Sequence, residues 1–140
     1  MSEELKRQQI SKRMRAVKSK DSKAELLLRK TLWHAGYRYR KHFAKLPGTP
    51  DVALIKYKIV IFCDGDFWHG RNWEQRKSDF KSNQEFWIQK IERNMRRDEE
   101  KDSQLRALGW LPLHFWEKDI LKKPMDCIGL LEQAILETTT

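Results

Sequence analysis

The chain has 140 residues, of which 39% are hydrophobic, and 29 Lys and Arg stand against 20 Asp and Glu for a net charge of +9. That composition is enough for one folded domain with a core and excludes a disordered polyelectrolyte, while the basic excess points to a polyanionic partner, above all nucleic acid. No stretch approaches 18 continuous apolar residues, which excludes a membrane-spanning helix, and two separated cysteines, Cys63 and Cys127, exclude a disulfide framework or a cysteine zinc cluster.

Residues 1–20 form a basic arm carrying Lys6, Arg7, Lys12, Arg13, Arg15, Lys18 and Lys20, interrupted chiefly by Leu5, Ile10, Met14 and Val17. Such an arm suits binding along phosphates, and the same composition also suits a solvated terminus. The opening Met-Ser-Glu-Glu-Leu-Lys lacks the apolar region of a signal peptide. The expectation is therefore an intracellular, cytoplasmic, nucleoid-associated protein whose residues 21–140 form a single domain.

Ser22-Lys23-Ala24-Glu25 has the S-x-x-E form of a capping box, and it predicts a helix to about residue 33 or 35 with Ala24, Leu27, Leu28, Thr31 and Leu32 inward and Gly36 as the stop. From Tyr37 to Phe43 aromatic and basic residues alternate as in an edge strand. Leu46-Pro47-Gly48-Thr49-Pro50 reads as a turn. Residues 51–54 and 58–63 read as the two strands of a hairpin, the second buried and central. Residues 64–82 are polar and irregular and would project from the carboxyl end of that strand. A long helix over about 83–108 ends at Gly109, and a strand over 110–115, a turn over 117–121 and a final helix over about 124–137 follow. The order α-β-β-β-α-β-α defines an α/β domain.

The apolar run Ile59-Val60-Ile61-Phe62 stops at Cys63-Asp64-Gly65-Asp66-Phe67-Trp68-His69. The hairpin would bring Asp51 beside Cys63-Asp64, and oxygen ligands from two neighbouring strands are what Mg²⁺ needs: the Asp51 carboxylate, the Cys63 carbonyl and Asp64 as an extra ligand. Pro50-Asp51 also has the plain reading of a turn ending. His69, near the same edge, could activate water or act on a leaving group, whereas His34, His42 and His114 lack that context and read as structural. Phe67-Trp68 could tuck into the core or enter a base stack as a wedge, and Arg71 and Trp73 would extend that surface. On the long helix Trp87, Ile91, Met95 and Leu105 share a face with Asp98. An acid in that stripe needs a partner, either His69 or the polar neighbours on its own helix. Glu25 is explained by capping and could also face the metal edge.

With these residues in place, the chain resembles the very short patch repair endonucleases, which nick DNA beside T:G mismatches. The resemblance rests on Ser11-Lys12-Arg13-Met14-Arg15-Ala16-Val17, on Leu46 to Asp51, and on Val60 to Gly70. Phe86-Trp87-Ile88-Gln89-Lys90-Ile91, Asn94, Arg97-Asp98, Leu108-Gly109-Trp110 and Trp116-Glu117 add to it in the same order. It implies a restriction-endonuclease-like fold with a mixed central sheet flanked by helices. It implies Mg²⁺ at Asp51 and the Cys63 carbonyl, catalytic His69 supported by Asp98, a contribution from Glu25, and intercalation by Met14, Phe67 and Trp68. Better-known members of that family hold a structural zinc, but the matching positions here are Asp66, Arg71, Trp73 and Lys118, so no structural zinc is expected and an Asp66–Arg71 ion pair or packing by Trp73 and Trp116 should hold the region.

The resulting expectation is a monomeric Mg²⁺-dependent endonuclease acting on double-stranded DNA at T:G mismatches, with a second metal ion sharing Asp51 and mismatch-repair proteins as further partners. The rivals are a related nicking or restriction-type endonuclease with another DNA target, and a non-catalytic DNA-binding module.

Overall fold

Ser22 caps the first helix as its sequence pattern predicts: its Oγ accepts the Glu25 N–H at 3.2 Å, and helix α1 runs over Lys23–His34. The computed structural model describes residues 21–66, 71, 73–76 and 84–138. The basic arm, with Met14 and Arg15, and the segment carrying Phe67, Trp68 and His69 lie outside those residues. Buried positions on α1 are Ala24, Glu25, Leu28, Arg29 and Leu32, while Leu27 and Thr31 are only half-buried. The two buried charged residues, unexpected on an apolar stripe, pair with each other (Arg29 Nη1 to Glu25 Oε2, 3.3 Å).

Among the described residues the sheet has four strands in the order β1 (Arg40–Lys41), β2 (Val52–Leu54), β3 (Ile59–Asp64) and β4 (Leu111–Trp116). The first two pairings are antiparallel and the last is parallel, a mixed sheet. The expected edge strand over 37–43 shrinks to two residues because His42 turns to φ +48. Its N–H and that of Phe43 still bond the carbonyls of Asp51 and Pro50 at 3.0 and 2.9 Å, so the edge remains attached. In the hairpin, Val52 faces Ile61 and Leu54 faces Ile59. Pro112 fits within β4 because that strand is an edge: the Leu111 N–H bonds the Lys58 carbonyl at 2.9 Å, and alternation turns the position without an N–H to the unpaired side.

Short helix α2 (Trp73–Arg76) lies within the stretch expected to be irregular, and α3 (Gln84–Ala107) is the long helix. Gly36 and Gly109, at φ +93 and +89, follow α1 and α3, where a left-handed residue closes a helix without steric cost. The expected turn at 117–121 is instead helix α4 (Glu117–Lys122), anchored by buried Ile120, and α5 (Pro124–Thr138) closes the chain. Among the described residues no helix is long and apolar enough to cross a membrane.

Helices cover both faces of the sheet. Ile59 and Ile61 pack with Leu28, Leu32, Ile120, Ile128 and Leu131 from α1, α4 and α5. Val60 packs with Ala53 and Leu105 on the α3 side. Burial on both faces explains why β3 is an unbroken apolar run rather than an alternating one. Ile61 is fully buried, so Ile61→Ala should lower the unfolding free energy by about 3 kcal/mol in denaturant titration.

Candidate active site

The Asp51 carboxylate ties the two hairpin strands together at one end: its Oδ2 accepts the Cys63 N–H at 2.7 Å. Burial pushes its pKa up to about 6. The Cys63 hydrogen bond opposes this, nearby Glu25 and Asp64 raise it further, and His42 pulls it down. Above pH 6 the carboxylate is thus ionised in partly buried surroundings among other acids. Because the folded pKa is the higher one, this group stabilises the fold least at neutral and alkaline pH, unless a cation joins it. The Cys63 thiol is pushed far up by burial, then by Asp51, Glu25 and Asp64, so it stays protonated and the carbonyl is its hard oxygen donor.

Glu25 belongs to the helix cap and also lies near Asp51. Its N–H is capped by Ser22, and its carboxylate reaches back to the Asp21 N–H at 3.1 Å, one residue earlier than in a regular capping box. It also meets Arg29, stands 3.7 Å from His42 Nε2, and is near enough to Asp51 to raise its pKa. Asp21, Glu25 and His42 bring ligand-type atoms within 4.8 Å of one another, but the Arg29 guanidinium already bridges the two carboxylates. His42, read as structural, therefore sits at the rim of the acidic site. The hydrogen bond with His42, then that with Arg29, lowers the pKa of Asp21.

Sequence reasoning missed the role of His114. Its Nδ1 lies 2.7 Å from Asp64 Oδ2, and its Nε2 lies 2.8 Å from both oxygens of Asp102 on α3. The ring stacks on Phe62 with centroids 4.8 Å apart and planes 11° from parallel. Burial pushes its pKa down, but the hydrogen bond and charge of Asp64, then those of Asp102, outweigh it and carry the pKa up to about 9. An imidazole donating from both nitrogens is an imidazolium. The signal in the sequence was half present: Asp102 lies one helical turn beyond Asp98 on the same face. The other half, His114 beside Phe62, exists only through the β3–β4 register.

Asp98 is half-buried on α3, while its expected partner His69 lies outside the described residues. Arg71, expected at a DNA surface, is engaged within the fold: it bonds Asp66 at 2.9 Å and Asp119 at 3.0 Å, and its guanidinium lies 5.5 Å from the Trp116 ring centroid. The Arg71 N–H also bonds the Asp66 carbonyl at 3.1 Å, and the Lys118 N–H reaches Asp66 Oδ1 at 3.4 Å. Trp73 is buried with its indole N–H on Glu92 at 3.1 Å, so it packs inward rather than presenting an open aromatic surface. Direct contacts thus link Asp66, Arg71 and Lys118, and the expected Asp66–Arg71 ion pair is present.

Two helix-covered faces around a mixed sheet, with acids gathered at the end of its central strand, define an α/β domain of the restriction-endonuclease-like fold. A family profile described as DNA mismatch endonuclease Vsr matches residues 2–75. A type II nicking enzyme of Neisseria meningitidis serogroup C, V.NmeDIP, is 48% identical over 91% of this chain and 86% of its own length. V.HpaIIP of Haemophilus parainfluenzae, also named a type II nicking enzyme, is 50% identical over 86% of this chain and 85% of its own. The DNA mismatch endonuclease Vsr of Escherichia coli is 39% identical over 76% and 68% respectively. The chain belongs to the Vsr family of DNA endonucleases, and it is a nicking endonuclease.

The raised pKa of His114 has a testable sign. Its stabilising contribution is complete below the unfolded value of about 6.5 and disappears as pH rises through about 9. His114→Phe should therefore cost on the order of 3 kcal/mol at pH 6, and denaturant titrations at pH 10 should show most of that cost gone.

Proposed function

We propose that this endonuclease nicks one strand of duplex DNA beside a T:G mismatch with Mg²⁺ held by Asp51 and the Cys63 carbonyl, a second ion sharing Asp51. The observation that carries the metal assignment is the Asp51 carboxylate, partly buried, hydrogen-bonded to the Cys63 N–H and pushed up to about 6 by burial and by neighbouring acids. A hard divalent cation would relieve that charge, and a carboxylate beside a carbonyl is an oxygen donor pair that fits it. Bound there, Mg²⁺ supplies Lewis-acid polarisation of the scissile phosphate and neutralises charge at the leaving oxygen.

The protein's own groups then do the rest. Cys63 N–H fixes the orientation of the Asp51 carboxylate, and Glu25 adds negative potential from α1. His69 moves a proton at the reacting oxygen, with Asp98 holding its tautomer. Phe67, Trp68 and Met14 wedge into the base stack, which costs least where pairing is already defective. Arg15 and the rest of the basic arm bind phosphates. The enzyme acts as a monomer in the cytoplasm at the nucleoid, with mismatch-repair proteins as further partners, and has no structural zinc.

The family profile and the Escherichia coli relative carry mismatch in their names, which supports the T:G reading. The relatives at 48% and 50% identity are named type II nicking enzymes, which favours a second reading: a nicking enzyme whose target is set by a particular flanking sequence. Nicking of a panel of T:G, other mismatched and matched duplexes separates the two. The first predicts cleavage confined to T:G, and equal cleavage of matched duplexes would overturn it.

Asp51→Ala and His69→Ala should each lower the single-turnover nicking rate by roughly a thousandfold with duplex binding retained. Wild-type-like turnover by Asp51→Ala would reject the metal assignment. Elemental analysis of the purified chain should find far less than one zinc per molecule, and a stoichiometric zinc would refute the proposed absence.

A further inference from the structure

Asp64 directly follows the proposed Cys63 ligand and lies near enough to Asp51 to raise its pKa, yet its carboxylate is engaged by His114. Strand alternation puts Asp64 and Phe62 on the face covered by α3, where His114 and Asp102 also stand. On the α3 side Asp64 Oδ2 lies 2.7 Å from His114 Nδ1. The imidazole is itself immobilised three ways: by Asp64, by both oxygens of Asp102 at 2.8 Å, and by stacking on Phe62. The Asp64 side chain is only 8% exposed, so it has little freedom to swing to another partner.

We propose that His114 is a positioning residue that withholds the Asp64 carboxylate from the metal edge, leaving Asp51 as the carboxylate ligand from β2 and β3. This rests on the metal assignment made above and revises the expectation that Asp64 is an additional ligand. The physical reason lies in the economy of Mg²⁺ sites. Such ions bind through one or two carboxylates and keep other positions for water and substrate phosphate. Another carboxylate at this edge would hold the ion more tightly without DNA and would repel the incoming phosphate. Clamping Asp64 to β4 and α3 makes the scissile phosphate a needed part of the coordination shell.

The test is calorimetric titration of the full chain with Mn²⁺ in the absence of DNA, alongside thermal unfolding. The wild type should bind Mn²⁺, and Asp51→Ala should abolish that binding. His114→Ala should bind Mn²⁺ about tenfold more tightly while unfolding at lower temperature, because it frees a carboxylate. A merely structural role would weaken binding or leave it unchanged. The double variant His114→Ala/Asp64→Asn should return to wild-type affinity, as should His114→Asn, whose amide N–H takes the place of Nδ1 beside Asp64. Asp64→Asn is nearly isosteric and gives a second route if His114→Ala fails to fold: wild-type-like affinity supports the proposal. Loss of Mn²⁺ binding by Asp64→Asn as severe as that of Asp51→Ala, or no tightening in folded His114→Ala, overturns it. Those patterns leave the metal assignment standing, whereas absence of Asp51-dependent binding in the wild type defeats that assignment and this inference together.

Discussion

At one end of the β2–β3 hairpin the Cys63 N–H donates to Asp51 Oδ2 across 2.7 Å, and this bond joins a charged side chain to the centre of the sheet. It requires the register in which Val52 faces Ile61, because a slip of one residue would turn the side chains of β3 to the wrong faces. That register is in turn enforced by Ile59 and Ile61 against one set of helices and by Val60 against α3. The apolar core and the candidate active site are therefore not separable. The packing that stabilises β3 also sets where a partly buried carboxylate meets the backbone of the neighbouring strand.

The sheet divides the acidic groups between its faces. On the α1 side, Glu25 is balanced by Arg29 and neighbours His42, and it still raises the pKa of Asp51. On the α3 side, Asp64 and Asp102 share one imidazolium. Asp51 lies near both sets, and among the described residues its hydrogen-bond donor is the backbone N–H of Cys63 rather than a charged side chain. On the proposed metal assignment a cation would relieve that imbalance, since an uncompensated buried charge costs stability at neutral pH.

Beyond β3 the chain is fastened without thiolates. Asp66 bonds Arg71 and the Lys118 N–H, Arg71 also reaches Asp119 on α4, and Trp73 is buried with its N–H on Glu92. A short ionic network and a buried tryptophan hold this region to α3 and α4. Arg71, expected to extend the wedge surface or to pair with Asp66, joins the end of β3 to α4. A basic residue in a basic protein is not thereby a DNA contact, because a neighbouring pair of acids can claim it first.

Local patterns in the sequence determined a good deal of this protein. The Ser22 cap, the glycine stops of α1 and α3, the apolar run of β3 and the placement of Asp51 beside Cys63 all depend on residues near one another in the chain or on a single hairpin. Patterns at that range record backbone propensity and periodic burial, which is why they could be read. The tertiary structure alone decided that β4 lies parallel to β3, that His114 therefore stands beside Phe62, and that α3 delivers Asp102 to its other edge. It also decided that Trp73 is buried, that Arg71 pairs with Asp66 and Asp119, and that Arg29 is buried with Glu25. The reason is common to all of these: the partner of a charged or aromatic side chain is fixed by which elements pack together, and that depends on the whole core rather than on any one segment.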